Sequence, residues 1–261
     1  MKIGISTWSL LHNDLGSAIR TIGEAGFEYI ELWGEVPHAH PDWTDKNGLK
    51  DSLSPYDMTL TLHAPFTDLN PASLFEPVRG AIERALVDFL SFGEDLGASM
   101  ITLHPGGSHN VAMVPRSAES AVALIRSLAK KAEGKISLSI ENQTSSRSHY
   151  SFPLGSTAES MDKLLTEVEG ARFTLDTGHA HASGIDPLSL CERFAGKLAE
   201  VHLSDNEGHS DDHMIPGLGT AKLDRVIEKL SGTDVLLCLE IDPYRYSPEE
   251  VVKAGLSIKE A

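Results

Sequence analysis

The chain has 261 residues, of which 41% are hydrophobic and 23% are charged, proportions that are ordinary for a globular protein. Its formal net charge of −16 disfavours nucleic acid as a partner, because cationic contacts to phosphate dominate the affinity of proteins for DNA. No run approaches the roughly 18 apolar residues of a membrane-spanning helix, so no such span is expected.

The N-terminus, Met1–Ile5, has the pattern of a strand and lacks the apolar region and cleavage site of a signal peptide. The two cysteines, Cys191 and Cys238, fall in a predicted helix and a predicted strand, and nothing in their spacing suggests a disulfide scaffold. We therefore expect a protein of the reducing cytoplasm.

Strand patterns and helix patterns alternate eight times along the chain, which favours a parallel sheet. The predicted strands are Lys2–Thr7, Tyr29–Trp33, Thr59–His63, Met100–His104, Ser137–Glu141, Arg172–Asp176, Glu200–Leu203 and Val235–Ile241. The predicted helices are Asp14–Ala25, Lys46–Tyr56, Ala72–Leu96, Ala118–Glu133, Thr157–Val168, Leu188–Phe194, Ala221–Leu230 and Pro248–Leu256. Four glycines precede strands at positions typical of a helix C-terminus: Gly26, Gly97, Gly134 and Gly170.

Eight such units in a chain of this length predict a closed (β/α)8 TIM barrel. The structural alternative is a doubly wound open sheet. It lacks support, because no G-x-G-x-x-G motif follows the first strand.

Six successive predicted strands each carry a histidine or an acidic residue at or near their C-terminal end. These residues are His63, His104, Glu141, Asp176, His202 and Glu240. In a TIM barrel these strand ends form the active site. Hydrogen bonding alone could account for one or two of them. A whole cluster would suffer desolvation and mutual repulsion without a cation, so we expect a metal site.

The segment after the seventh strand, HLSDNEGHSDDHMIPGLG at 202–219, adds further candidate ligands. Asp211 and His213 are one residue apart, so an extended loop can direct both toward the cavity that His202 reaches. Imidazole nitrogen and carboxylate oxygen are ligands that suit zinc, manganese or iron. The alternative interpretation is a solvated acidic loop.

Several motifs resemble the xylose isomerase-like TIM barrel superfamily, which includes sugar phosphate isomerases and epimerases and endonuclease IV-like enzymes. They are LHAPF at 62–66, LHPGGSH at 103–109, IEN at 140–142, LDTGHAHASG at 175–184, the segment at 202–219 and LEI at 239–241. The resemblance covers all eight strands and implies one barrel domain over residues 1–261.

The resemblance also implies divalent metal ions as cofactors, either three ions or one ion per chain. As in endonuclease IV, three zinc ions would be held by His63, His104 and Glu141; by Glu141, Asp176, His202 and Glu240; and by His179, Asp211 and His213. As in the sugar epimerases and isomerases, a single Mn²⁺-type ion would be held by Glu141, Asp176, His202 and Glu240.

Two departures from endonuclease IV favour a small sugar substrate. The spacing from His202 to Asp211 is shorter than expected for the DNA enzymes, and Asp212 stands where they typically carry a basic residue. Asp68 likewise stands where they tend to have a neutral group. Negative charge at these positions would repel phosphate.

Three further residues are candidates for substrate contacts. Trp33 could stack on a sugar face and His38 lies in the loop after the second strand, although a surface loop with an incidental histidine is the simpler interpretation. Arg147 lies in the long polar loop 142–156 and is the candidate for a phosphate or carboxylate contact.

The preferred hypothesis is a metal-dependent isomerase or epimerase of a small sugar or sugar phosphate, in which Glu141 and Glu240 both ligate the ion and move a proton. The rival is a zinc phosphoester hydrolase, including incision of DNA at abasic sites. A third possibility is a barrel that binds metal or sugar without catalysis. The sequence leaves the oligomeric state open.

Overall fold

A computed structural model describes residues 1–146 and 148–260. Its strands are β1 (Lys2–Ser6), β2 (Tyr29–Trp33), β3 (Thr59–His63), β4 (Met100–Leu103), β5 (Gly107–Ser108), β6 (Ser137–Glu141), β7 (Phe152–Pro153), β8 (Arg172–Asp176), β9 (Leu198–Leu203) and β10 (Leu236–Leu239). Eight of them close into a parallel barrel in the order β1-β10-β9-β8-β6-β4-β3-β2. The predicted TIM barrel is confirmed, and closure excludes the open sheet.

Helices connect the barrel strands. They are α1 (Leu15–Glu24), α2 (Lys46–Leu53), α3 (Glu76–Leu96), α4 (Val114–Ala132), α5 (Ala158–Glu167), α6 (Thr177–Ala182), α7 (Pro187–Arg193), α8 (Asp224–Leu230) and α9 (Pro248–Glu260). Several begin at a side-chain cap, as α1 does at Asp14 and α5 at Thr157. Helix α3 ends at Gly97, whose φ of 75° lies in the left-handed region that suits glycine. None of the helices in the described ranges is long and apolar enough to cross a membrane.

Some predicted boundaries were wrong at the rim of the barrel. Strand β4 ends at Leu103 and β10 at Leu239, so His104 and Glu240 lie just beyond their strands. Helix α3 begins at Glu76 rather than at residue 72, with Pro77 in its first turn. Helix α6 was not predicted at all, because a helix of six residues has too few turns to show helical periodicity.

The interior of the barrel carries a hydrogen-bonded polar layer. The carboxylate of Glu200 accepts hydrogen bonds from Tyr29, from Thr61 at 3.2 Å and from Thr102 at 2.5 Å. All four residues are fully buried. Because side chains alternate faces along a strand, the residues two positions further on point the same way, toward the C-terminal rim. On or just beyond the four strands that carry this layer, these are Glu31, His63, His104 and His202. Glu141 and Asp176 lie in the same way two positions after Ser139 and Thr174, whose hydroxyl groups are hydrogen-bonded to each other at 2.6 Å.

Candidate metal centre

Glu141, at the end of β6, is the hub of the rim. Its Oε2 atom lies 3.1 Å from Nε2 of His63 and 3.0 Å from Nε2 of His104. Its Oε1 atom lies 3.2 Å from Nδ1 of His179 and 3.6 Å from Nδ1 of His202. One carboxylate therefore borders four imidazoles with its two oxygens, as a bridging ligand between two ions would.

Four residues at or just beyond the ends of four strands form one compact group. Ligand atoms of Glu141, Asp176, His202 and Glu240 all lie within 4.8 Å of one another. Three of these atoms are buried without a hydrogen-bond partner in the described part of the chain: Glu141 Oε1, Asp176 Oδ2 and His202 Nδ1. Such orphaned polar atoms are costly unless something binds them. Oxygen and nitrogen donors that converge on one point fit a divalent cation of the Mn²⁺ or Zn²⁺ type.

A second group of candidate ligands comes from α6 and the loop after β9. The carboxylate oxygen Asp211 Oδ2 lies 3.1 Å from Nε2 of His179 and 3.2 Å from Nε2 of His213. Helix α6 presents His179 because the side chain of Asp176 caps that helix, accepting from the backbone N–H of His179 at 2.6 Å. Asp211 and His213 both line the cavity, but the loop is not extended at His213, whose φ of 41° lies in the left-handed region.

Backbone carbonyls orient three of the imidazoles. The Nδ1 atoms lie 2.9 Å from the carbonyl of Ala64 for His63, 2.8 Å from that of Asn142 for His179 and 2.8 Å from that of Glu240 for His213. A proton on Nδ1 donates to each carbonyl and leaves Nε2 free to bind a cation. This arrangement is usual around protein-bound metals.

The charges of the cluster are strongly coupled to one another. Burial raises the pKa of Asp176 to about 7, and the nearby charge of Asp211 adds to the rise. Burial opposes protonation of His213, but the charge and hydrogen bond of Asp211 outweigh it and raise its pKa to about 10. For His63, the hydrogen bond and charge of Glu141 likewise outweigh burial and raise the pKa to about 9. All three shifts favour the protonated form of these groups.

A cavity of about 220 Å³ opens onto these groups. Its wall includes Trp8, Trp33 and Phe66 together with Gln143, whose buried Nε2 has no partner among the described residues. The volume is below the roughly 300–1,000 Å³ of pockets for drug-sized ligands, which indicates a small occupant. Aromatic faces and an unpaired amide suit a molecule with both C–H faces and hydroxyl groups.

The three predicted substrate contacts differ in where they lie. Trp33 lines the cavity. His38 is buried, with Nε2 3.1 Å from the carbonyl of Asn13 and its ring edge-on to Trp33 at 6.2 Å, so it packs against Trp33. Arg147 lies outside the described residues.

Comparison with known proteins identifies the family of this barrel. Residues 19–260 match the family described as xylose isomerase-like TIM barrel. The chain belongs to that family. The resemblance of the strand-end motifs is therefore confirmed.

Relatives of this xylose isomerase-like barrel include sugar epimerases. An uncharacterized protein of Methanocaldococcus jannaschii is 28% identical over 272 residues, covering 99% of this chain and 90% of that protein. The fructoselysine 3-epimerase of Escherichia coli O157:H7 is 23% identical over 233 residues, covering 85% of this chain and 83% of the epimerase. The crystal structure of a D-tagatose 3-epimerase-like protein has a TM-score of 0.85 and 27% identity, covering 100% of both chains.

One buried carboxylate organises the loop that follows β9 in this xylose isomerase-like barrel. Asp205 Oδ1 accepts from the backbone N–H groups of Asn206 at 2.9 Å and Ala221 at 3.1 Å. Its Oδ2 accepts from Gly217 at 3.0 Å and Gly219 at 3.1 Å. Asp205 thus closes the loop at its base and holds in place the segment that carries Asp211 and His213.

We expect Asp205→Ala to lower the free energy of unfolding by on the order of 3 kcal/mol or more, because it leaves four backbone N–H groups without their acceptor. Urea unfolding measures this loss. Asp212→Ala is the matched control, since it removes a carboxylate of the same loop that accepts only from Ser210 Oγ, at 2.7 Å, among the described contacts. Equal losses in the two variants would contradict the role of Asp205.

Proposed function

We propose that this protein is a divalent-metal-dependent epimerase or isomerase of a small sugar or sugar derivative. The observation that carries the proposal is the placement of two carboxylates, Glu141 and Glu240, beside one imidazole nitrogen. Nδ1 of His202 lies 3.6 Å from Glu141 and 3.3 Å from Glu240. The similarity to a D-tagatose 3-epimerase-like protein and to fructoselysine 3-epimerase supports this choice.

The cation would be held by Glu141, Asp176, His202 and Glu240, whose ligand atoms converge, and three of these residues have a buried polar atom without a partner in the described part of the chain. A bound divalent cation supplies Lewis acidity, which polarises a carbonyl and acidifies the C–H bond next to it.

In this proposal the two glutamates would act on opposite faces of a bound sugar. Glu141 ends β6 and Glu240 follows β10, and β8 and β9 separate these strands in the barrel. Epimerisation requires that a proton leave a carbon from one face and return on the other. One glutamate, ionised, would remove the proton from the carbon beside the carbonyl, and the other, protonated before the step, would deliver its proton to the opposite face. The two glutamates would then have exchanged protonation states, which fits catalysis in both directions. Burial keeps bulk water from competing for the proton.

The cavity wall suits the rest of a sugar. Trp8 and Trp33 offer surfaces for the C–H faces, and the amide of Gln143 offers a donor to a hydroxyl. No lysine or arginine is among the wall residues in the ranges 1–146 and 148–260, which favours a neutral substrate. Arg147 remains the candidate that would bind a phosphate or carboxylate group, if the substrate carries one.

The direct test uses protein stripped of metal and reloaded with Mn²⁺, Co²⁺, Mg²⁺ or Zn²⁺. D-tagatose, D-psicose and fructoselysine are the substrates to try first, because the names of relatives suggest them. We expect at least one metal form to equilibrate a ketose with its epimer, and the stripped protein to be inactive. NMR in D₂O would record the new sugar and the exchange of its C–H proton. Absence of both in every metal form, across a wider ketose panel, would overturn the proposal.

Phosphoester hydrolysis is the second candidate, and the ligand groups beyond the central four favour it. Two further sets of residues could each hold an ion. One set is His63, His104 and Glu141, and the other is His179, Asp211 and His213. The net charge of −16 opposes DNA as the substrate. Three zinc ions per chain together with incision of abasic duplex DNA at physiological salt would establish this alternative. One ion per chain with ketose epimerisation would exclude it.

A further inference from the structure

His202 stands between carboxylates on both of its ring nitrogens. Nδ1 faces Glu141 and Glu240 at the cavity. On the other side, Nε2 lies 3.1 Å from Oε2 of Glu31 and 3.6 Å from Oε2 of Glu200. Glu31, Glu200 and His202 are fully buried.

Of the two inner carboxylates, only Glu31 is within hydrogen-bonding distance of Nε2. The 3.6 Å separation to Glu200 exceeds the usual limit for an N–H···O bond. Glu200 is also occupied by the hydroxyl groups of Tyr29, Thr61 and Thr102.

Glu31 itself has little else to bind. Its Oε1 lies 3.8 Å from Sγ of Cys238, and its one ion-pair partner in residues 1–146 and 148–260 is His202. A carboxylate buried so deeply without lysine or arginine is costly, and the N–H of His202 is the group that offsets the cost.

We propose that Glu31 is the positioning residue for the cation, and that it acts through His202. It holds a proton on Nε2 of that ring, which directs the lone pair of Nδ1 into the cluster and makes the nitrogen a stronger donor. Glu31 is not among the described residues of the cavity wall, and it faces the ring nitrogen of His202 that points away from Glu141 and Glu240, so we assign it an action through His202. This inference rests on the proposed function, because it assumes that a cation binds at His202.

The other rim imidazoles differ from His202 in this respect. His63 and His213 place a neutral backbone carbonyl at Nδ1, and His179 places both a carbonyl and a Glu141 oxygen there. A carboxylate raises the basicity of an imidazole more than a carbonyl does, since it carries a full negative charge. His202 is therefore the ring whose donor strength depends most on a single replaceable side chain.

The test measures the binding of Mn²⁺ alone and of Zn²⁺ alone by titration calorimetry to metal-stripped protein. We expect Glu31→Leu to weaken binding by about 10–100-fold, the usual effect of removing such a partner. Glu31→Gln keeps an acceptor oxygen and loses the charge, so it should weaken binding less and partly rescue the affinity. Glu200→Gln is the matched control, because it removes an equally buried carboxylate that does not bond to His202, and it should stay within about threefold of wild type.

Two further measurements separate a positioning role from a general loss of structure. Two-bond ¹H–¹⁵N spectra of the Zn²⁺-loaded protein should show His202 protonated at Nε2, with that proton shifted downfield in wild type and not in Glu31→Leu. The melting temperature of metal-stripped Glu31→Gln should stay close to that of wild type.

The outcomes distinguish this inference from the proposed function. Wild-type affinity in both Glu31 variants, with wild type itself binding metal, would overturn the inference and leave the proposed function standing. A wild-type protein that binds neither ion would overturn the proposed function and this inference with it.

Discussion

Replacing Glu141 with glutamine should lower epimerase activity by about 10³-fold or more and should also reduce metal retention. Glutamine cannot accept a proton from a sugar carbon, which removes one of the two groups that act on the substrate. Glutamine also has an N–H₂ group in place of one carboxylate oxygen of Glu141. That group would face imidazole nitrogens that lie near the two oxygens of Glu141 in the wild-type protein. Turnover of a ketose by the Mn²⁺-loaded variant and its metal content by mass spectrometry check both parts.

Glu159→Gln is the control for this change, because Glu159 is an exposed glutamate on α5 that pairs only with Arg193 in the described ion pairs. We expect it to keep activity and metal content. Normal turnover and normal metal content in Glu141→Gln would remove Glu141 from the site. Lost turnover with full metal content would instead assign Glu141 to proton transfer alone.

The sequence predicted the fold well because the period of its hydrophobic residues and its turns agree with one architecture. Strands β2, β3, β6 and β8 begin and end where the pattern placed them. The prediction that strand-end side chains would meet followed from topology alone, because parallel strands bring their C-terminal ends to one rim. Glu141 and Asp176, the last residues of β6 and β8, now lie in one four-residue group.

The residues that surround the candidate ligands at the C-terminal rim of the barrel could not be predicted, because their placement depends on contacts that no local sequence pattern encodes. Glu31 bonds to His202 across 171 positions of sequence, and whether a strand residue reaches a given ring depends on the stagger of the closed barrel. Trp8 enters the cavity from a 3₁₀ helix that follows β1, where the sequence pattern predicted only the end of a strand. Gln143 showed no signal beyond its position just after the Ile140–Asn142 motif.

The metal-stripped protein should lose stability as the pH rises from about 6 to about 8.5. His63 and His213 have folded-state pKa values of about 9 and about 10, above the ordinary 6.5. Their contribution is fully present below pH 6.5 and is lost as the pH rises through those values. The pKa of Asp176 is about 7 in the folded protein, above its ordinary value of 3.8. Its ionisation therefore lowers the stability of the folded protein as the pH rises from 3.8 to about 7. Both effects have the same sign.

Bound metal should cancel most of this loss, because the cation takes the place of the protons and binds more tightly as they leave. We expect the melting temperature of the stripped protein to fall by about 5 °C or more over this range, while that of the metal-loaded protein falls less. His213→Gln removes one raised group and should make the fall shallower, whereas His12→Gln, outside the cluster, should not. If the stripped and the loaded protein gave parallel pH profiles of melting temperature, protons and metal would not compete for one site. The cluster would then not be the metal site.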